Sequence, residues 1–393
     1  MQIDPAILKP VVQRALGTRR AQIADWSVMQ IFAGAGQGLG VFRVTGRAQI
    51  AQEPRAWSVI LKVLPSATRR SSRAWSHPAR EALAYRSGLM EALPAGLGAP
   101  RCFGQAEHGG RHYLWLEDLG AEETKWTASD YTRAARQLGR FNGAYLVGRP
   151  LPTAAWLSGD WLRSWLAEGA AAVDELSCYR THPLVRRVYP PAIFDQLAEL
   201  WTRRESLLAT LDHLPHVLCH HDAFRRNLFL RSGSLLAVDW AFVGPGPIGA
   251  ELAPLVTASA AFLSVERERW HDLERTAGEA YLQGLRDAGW DGPSEQPRFG
   301  FAACSALRYG PGVVRLVLPA LLDDSRQADA EQVLGIPFDA IVNLWAAVAA
   351  EQARLAAKAF TLLAVVRQQL SLPAPTSAVA PRESRSSRCG TRP

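Results

Sequence analysis

The sequence predicts an α+β fold in two parts, with a small N-terminal lobe built on an antiparallel sheet and a larger helical C-terminal lobe. Three observations lead to this prediction. Residues 26–47 and 56–64 have the pattern of strands separated by turns, and the run AWSVILKVL is apolar and β-branched, as in a buried strand. From Ser129 onward, apolar residues recur at helical spacing. A short strand-rich island, 217–243, interrupts the helices.

The remaining elements follow from local signals. Residues 1–20 predict a short helical lead-in, and HYLWLEDLG predicts a further strand that enters a turn. Ser76 is a candidate N-cap for a helix that runs to about Leu93 and ends before Pro94 and Gly96. Helices are expected from Asp160 and again over 251–370. These signals give an N-lobe (1–116), a linker (117–125), a helical C-lobe (126–370) and a disordered basic tail (371–393).

Composition favours a globular cytoplasmic protein. With 393 residues the chain can form two cores, and its hydrophobic (48%) and charged (21%) fractions are ordinary for a folded protein. The five scattered cysteines form no CxxC pair, so a zinc site or a disulfide framework is not expected. The N-terminus lacks a signal-peptide core, and no uncharged apolar run is long enough for a membrane span. We therefore expect a cytoplasmic protein with no membrane partner.

The net charge of +7 is a weak indication of nucleic-acid binding. The last 23 residues contain four arginines and one glutamate, which supply +3 of that charge. No basic stripe interleaved with aromatic residues occurs in the rest of the chain. The sequence therefore predicts no nucleic-acid partner.

The strongest chemical signal is the segment LCHHDAFRRNLFL, in which His220, Asp222 and Asn227 form the pattern H-x-D-x4-N. Asp239 follows twelve residues later, at the end of the apolar run SLLAVDW. We interpret the apolar run HVLC, just before the motif, and the run SLLAVDW as the two strands of a catalytic hairpin. Phosphoryl transfer needs one carboxylate to take the hydroxyl proton, here Asp222, and oxygen ligands for Mg²⁺, here Asn227 and Asp239. The alternative is a turn in which Asp222 and Asn227 only cap backbone groups.

Lys62 is the second signal. The chain uses forty arginines and only four lysines, and Lys62 lies inside the apolar run SVILKVL. A charge there is costly unless it is paired, and Glu81 on the next predicted helix is the candidate partner. Such a lysine contacts nucleotide phosphates in kinase-type sites. The alternative is an edge-strand lysine whose ammonium group reaches solvent.

Two weaker signals complete the nucleotide site. The glycine-rich bend contains Gly36 and Gly38, whose backbone could approach phosphates closely, although a flexible hairpin turn explains the glycines almost as well. Glu117, Asp118 and Leu119 follow the last predicted strand of the N-lobe, where a linker between lobes would hydrogen-bond a purine through its backbone. We therefore include Gly36, Gly38, Glu117 and Leu119 among the candidate nucleotide-binding residues.

Over residues 25–260 the chain resembles the aminoglycoside phosphotransferase and choline kinase superfamily, which has a protein-kinase-like fold. The family motif H-G-D-x4-N is matched by His220, Asp222 and Asn227, and its metal-binding aspartate by Asp239. Its strand lysine and helix glutamate are matched by Lys62 and Glu81, and the segments AARQLGRFNGAYL and PIGAELAPL resemble family helices. Two positions depart from the family, since His221 replaces a glycine and Glu251 replaces an aspartate.

The resemblance implies a five-stranded N-lobe, a linker and a helical C-lobe that carries the acceptor site. It implies a kinase that transfers the γ-phosphate of ATP or GTP, with Mg²⁺, to a hydroxyl of a small metabolite or antibiotic. His221 implies a different backbone shape in its loop or a contact with the substrate. The alternative is a nucleotide-binding pseudokinase or regulatory protein of the same fold. The acceptor, the choice between ATP and GTP, and the oligomeric state are left open.

Overall fold

The structure is a computed structural model, and it describes residues 3–32, 40–65, 73–120, 125–174, 180, 183–231, 233–312, 320–321 and 323–373. The glycine-rich bend with Gly36 and Gly38 lies outside these residues, and so does most of the predicted tail. The expectations for both segments stay predictions.

The chain forms two compact units. The first comprises Met1–Lys125, Pro152–Gly159 and Asn227–Gly244, and the second comprises Trp126–Leu151, Asp160–Arg226 and Pro245–Pro393. The sequence-based boundaries assigned all of 126–370 to the helical lobe. In the structure, the two later segments of the first unit group instead with the N-terminal residues.

The first unit contains a helix and a five-stranded sheet, namely α1 (Pro5–Ala15), β1 (Gln22–Phe32), β2 (Gly40–Ile50), β3 (Glu53–Pro65), β4 (Cys102–His108) and β5 (Arg111–Glu117). The sheet is antiparallel with strand order β1-β2-β3-β5-β4, as expected for an α+β fold. Side chains alternate between its faces. In β3, Val59, Leu61 and Val63 point into a core that includes the helix α1, whereas Lys62 points to the other face.

Helix α2 spans only Arg80–Arg86, so the prediction of a helix from Ser76 to about Leu93 was wrong at both ends. Ser76 is fully buried, and the residue before the helix is Ala79, which makes no side-chain capping bond. The helix stops because Gly88, two residues past its end, has a φ of +76°, a backbone conformation that terminates helices.

The second unit is helical. Its longer helices are α3 (Ala128–Leu146), α4 (Trp161–Asp174), α5 (Pro183–Val188), α6 (Pro191–Leu211), α7 (Trp270–Asp287), α8 (Glu295–Gly312), α9 (Asp324–Leu334) and α10 (Phe338–Gln369). Helices α3 and α7 approach so closely that their backbones are in contact at Gly139. A Cβ atom at this position would lie only 2.2 Å from the Tyr281 carbonyl oxygen. The Tyr281 hydroxyl donates to the Asn142 side chain at 2.7 Å, and the Asn142 amide donates to the Leu218 carbonyl at 2.9 Å. This buried chain of bonds fixes the strand that ends just before His220.

The strand island differs in detail from the prediction. It contains β6 (His216–Cys219), β7 (Leu228–Arg231), β8 (Ser234–Ala237) and β9 (Gly244–Pro247). Strand β7 pairs with β8, and β6 pairs with β9, so the predicted hairpin between HVLC and SLLAVDW was wrong. The intervening LFLR segment is itself a strand and takes the partner that the prediction gave to HVLC.

Among the described residues, no single helix is long and apolar enough to cross a membrane. Helices α9 and α10, which are bent by 82° at their junction, meet the length and composition criteria only as a pair.

Candidate functional site

In the first unit, Lys62 is paired with two carboxylates. Its Nζ lies 2.5 Å from Oε2 of Glu81 and 2.6 Å from Oδ1 of Asp239. The side chains of Lys62 and Glu81 are 12% and 1% exposed, so this ion pair is buried. Burial lowers the pKa of the Lys62 ammonium, but Asp239 and Glu81 more than offset this, and the net shift is upward. The lysine is therefore a fixed positive charge at neutral pH.

The local fold explains how these residues meet. Lys62 stands opposite Val41 and Leu114 in the sheet, on the face away from the apolar core. Glu81 lies in the first turn of α2 and also accepts a hydrogen bond from the backbone N–H of Trp240, at 3.3 Å. Glu81 therefore holds both Lys62 and the residue that follows Asp239.

Asp239 itself has a backbone φ of +65°, which is uncommon for a residue other than glycine. Its side chain is 46% exposed although it is paired with Lys62. The neighbouring Val238 N–H donates to the Asn227 carbonyl at 2.9 Å, so the backbones of the two predicted metal ligands are linked through one residue. The carboxylate of Asp239 and the amide oxygen of Asn227 are the hard oxygen donors that Mg²⁺ prefers. The donor chemistry of these residues fits that ion.

Arg80, next to Glu81, is a residue that the sequence reasoning missed. Its guanidinium is fully buried and donates to the carbonyls of Trp75, Trp156 and Ala241 at 3.0, 2.9 and 2.8 Å. Burial lowers the pKa of Arg80 to about 10, so it stays charged at neutral pH. It joins α2 to the turn after Asp239, and it had no signal in a sequence that contains forty arginines.

The predicted linker residues are engaged within the protein. The Glu117 carboxylate accepts from the Arg101 guanidinium at 3.1 Å, and the Glu117 N–H donates to the Arg101 carbonyl at 2.8 Å. The Leu119 carbonyl accepts from Arg231 at 2.6 Å. Asp118 pairs with Arg43 at 2.8 Å and accepts from Ser58. A purine-binding role for Glu117 and Leu119 therefore stays a prediction.

In the second unit, the loop after β6 is held by Glu251. This fully buried carboxylate accepts from the backbone N–H groups of His220 and His221, at 2.7 and 3.2 Å. Burial raises its pKa to about 7, although these hydrogen bonds oppose the shift. The His220 ring accepts from the Asp222 N–H at 3.2 Å. Glu251, which replaces the family aspartate, therefore fixes the backbone that carries Asp222.

His221 stands at the glycine position of the family motif, and its backbone has a conformation that glycine favours. Its φ is +64°, within the left-handed region that favours glycine. Its ring stacks on Trp161, with centroids 5.3 Å apart and planes at 9°. A Cβ atom on Gly246 would lie 2.6 Å from the His221 ring, so the ring requires a glycine there. The histidine is thus accommodated by a stacking partner on α4 and by a glycine in β9.

Asp222 pairs with Arg308 of helix α8. Arg308 Nη2 lies 2.7 Å from Asp222 Oδ1, and Arg308 Nη1 donates to the His221 carbonyl. The side chains of Arg308 and Asp222 are 12% and 18% exposed, respectively. No local signal singled out Arg308, because it lies 86 residues from Asp222 in the chain.

The candidate residues therefore fall into two groups. Lys62, Glu81, Asn227 and Asp239 belong to the first unit, and Asp222 belongs to the second. The geometry contains the predicted pair of Lys62 with Glu81 and adds Asp239 as a third member. The roles of these residues in binding and catalysis stay predictions.

Comparisons with known proteins agree with this architecture. None of the curated proteins matches the sequence. An aminoglycoside phosphotransferase from Alicyclobacillus acidocaldarius matches in structure with a TM-score of 0.52 at 14% identity, over 94% of this chain and 97% of its own. A choline kinase from Cryptosporidium parvum matches with a TM-score of 0.51 at 12% identity, over 93% and 98% of the two chains. At such identities the likeness shows the fold, which confirms the protein-kinase-like α+β prediction.

A sequence profile decides the family. The profile described as "Phosphotransferase enzyme family" matches residues 49–296, well over half of the chain. The matched range includes Lys62, Glu81, the H-x-D-x4-N motif, Asp239 and Glu251. The chain therefore belongs to the phosphotransferase enzyme family.

Proposed function

We propose that the protein transfers the γ-phosphate of ATP or GTP to a hydroxyl group of a small metabolite or antibiotic. The observation that carries the proposal is the buried Lys62, held at 2.5 and 2.6 Å by Glu81 and Asp239. A lysine fixed by a helix glutamate and accompanied by a carboxylate is the arrangement that protein kinases use to hold nucleotide phosphates and their metal.

In the proposed reaction, Lys62 contacts the nucleotide phosphates and Glu81 keeps its ammonium in place. Asn227 and Asp239 would hold Mg²⁺, which when bound neutralises charge on the phosphates. The acceptor oxygen forms a bond to the γ-phosphorus while the bond from that phosphorus to the β–γ bridging oxygen breaks. A nucleoside diphosphate leaves, and Asp222 takes the proton of the hydroxyl.

Asp222 is suited to this role because Glu251 and Arg308 restrict the loop and the side chain that carry it. A general base contributes only when it is held within hydrogen-bond reach of the proton that it takes. The proposal therefore assigns binding to the lysine group in the first unit and proton transfer to the aspartate group in the second.

The test is a panel of hydroxylated compounds, offered to the full chain with Mg²⁺ and either ATP or GTP. The panel includes sugars, amino alcohols, hydroxy acids and aminoglycosides, and nucleoside diphosphate release is measured with and without each compound. We expect at least one compound to stimulate release in proportion to its phosphorylation. Nucleotide binding without any phosphorylated product would favour the alternative, a pseudokinase or regulatory protein.

A further inference from the structure

Arg308 contacts two successive residues of the loop that carries the candidate base. Its Nη2 lies 2.7 Å from the Asp222 carboxylate, and its Nη1 donates to the His221 carbonyl. Both charged side chains are mostly buried, at 12% and 18% exposure. Removing one partner of a buried pair leaves a desolvated charge behind, so the pair is a strong constraint on the position of either side chain.

Arg308 is itself held at both ends. The centre of its guanidinium lies 4.5 Å from the centroid of the Trp161 ring, the same ring on which His221 stacks. Trp165, which stacks on Trp161 with centroids 6.0 Å apart, donates its indole N–H to the Arg308 carbonyl at 2.9 Å. Two tryptophans of α4 thus restrict both the guanidinium and the backbone of Arg308 on α8.

We propose that Arg308 is a positioning residue for the phosphoryl transfer, which orients the Asp222 carboxylate and keeps it ionised. The inference rests on the proposed function, in which Asp222 takes the acceptor proton. The arginine supplies two separable things, a positive charge beside the carboxylate and a planar fork that reaches both Asp222 and His221. Lysine would keep the charge but lacks the fork.

The charge has a direct consequence for pH dependence. An opposite charge within about 4–6 Å favours the ionised form of a carboxylate, and only the ionised form can accept a proton. Other groups near Asp222 also affect its charge, and they are present in the wild type and in the variants alike. Among the described residues they include Tyr309, which interacts electrostatically with Asp222, His220, whose ring accepts from the Asp222 N–H, and Glu251, which accepts from the neighbouring His221 N–H. A variant without the arginine charge should therefore lose activity on the acid side first.

The experiment compares Arg308→Gln and Arg308→Lys with the wild type. The pH–rate profile is measured with the best acceptor, or with water as acceptor through Mg²⁺-dependent nucleotide hydrolysis. For Arg308→Gln we expect kcat to fall by about 10²-fold, the nucleotide Kd to stay unchanged, and the acid limb to move to higher pH. Arg308→Lys should keep the acid limb near that of the wild type but recover kcat only in part.

Arg136→Gln is the matched control, because it removes an exposed ion pair with Asp287, at 2.6 Å, in the same unit. It should leave kcat and the profile unchanged. A merely structural role for Arg308 would lower the amount of folded enzyme without moving the acid limb. Unchanged kcat and an unchanged profile in Arg308→Gln would overturn the proposal. If Arg308→Gln fails to fold, the test rests on the kcat of Arg308→Lys. A partial kcat supports the role of the planar fork, and a wild-type kcat overturns it.

Hydrogen exchange separates this inference from the proposed function. The His221 and Asp222 amides donate to Glu251 and His220, and they should exchange faster in Arg308→Gln than in the wild type, whether or not the enzyme has turned over. Unchanged exchange at these amides would contradict the positioning role. If the wild type binds no nucleotide and exchange is nevertheless faster in Arg308→Gln, the proposed function is rejected, but the constraint of the loop by Arg308 is supported.

Discussion

The Nζ of Lys62 and the Oε2 of Glu81 lie 2.5 Å apart, although one residue belongs to a central strand of the sheet and the other to a short helix. The pair exists because strand alternation points Lys62 away from the apolar core, towards the face on which Glu81 and Asp239 lie. A buried ammonium with two carboxylate partners is costly to assemble for stability alone. We therefore interpret the group as a nucleotide-phosphate site.

The first prediction concerns this lysine. Lys62→Ala should weaken nucleotide binding and lower turnover by about 10²-fold or more, because a preorganised charge for the phosphates is lost. Lys62→Arg should not restore turnover, since a planar fork does not replace a point charge. Calorimetric nucleotide titration and steady-state rates measure both effects. Lys9→Ala, which changes an exposed lysine of α1, is the control and should behave as wild type.

The second prediction concerns the metal. Asp239→Asn should weaken binding of the Mg²⁺–nucleotide complex by about tenfold, or 1.4 kcal/mol, and bring it close to binding of the free nucleotide. The control is Asp25→Asn, which changes an exposed carboxylate of β1. Titrations with and without Mg²⁺ test this. The metal assignment fails if wild-type affinity does not depend on Mg²⁺.

The third prediction concerns pH and stability. Because burial raises the pKa of Glu251 to about 7, the folded protein binds more protons than the unfolded chain between pH 4.5 and 7. The contribution of Glu251 to the free energy of unfolding should therefore fall as pH rises through this window, by roughly 3 kcal/mol. Urea unfolding at several pH values should show this slope in wild type and in the exposed control Glu268→Gln, and a flatter one in Glu251→Gln. Parallel curves for all three proteins would contradict it.

The fourth prediction concerns the histidine in the glycine position. His221→Ala should lose the stacking on Trp161 and keep the strained backbone, whereas His221→Gly loses the stacking but relieves the strain. We expect His221→Ala to be less stable than His221→Gly by about 1 kcal/mol. Denaturant unfolding of the two variants measures the difference. Equal stability would show that the positive φ is not retained in solution.

Sequence patterns identified the candidate site residues that can be recognised by residue type and short spacing. The H-x-D-x4-N motif and a lysine in an apolar strand are local signals, and each carries its chemistry in the residue itself. The β-rich first part and the helical second part were likewise predicted from local patterns, whereas the number of five strands was implied by the family resemblance. The pairing of β7 with β8 was missed because LFLR, with four residues, is too short to show a clear alternation.

The partners of the site residues were not predictable in the same way. Arg308, on a helix, contacts Asp222 across 86 residues of sequence. Arg80 donates to the carbonyl of Trp156, which lies in a loop 76 residues further along the chain. Both are arginines in an arginine-rich chain, so residue type gave no contrast. The accommodation of His221 depended on Trp161 and Gly246, which approach it only after the chain has folded.

The role proposed for Asp222, taking a hydroxyl proton during phosphoryl transfer, is best tested by comparing Asp222→Asn with the wild type. The assay follows formation of the phosphorylated acceptor together with nucleotide affinity. We expect the variant to bind nucleotide as tightly as the wild type, while its turnover falls by ~10²–10⁴. A variant that forms phosphorylated product at a near-normal rate would show that Asp222 is not the base.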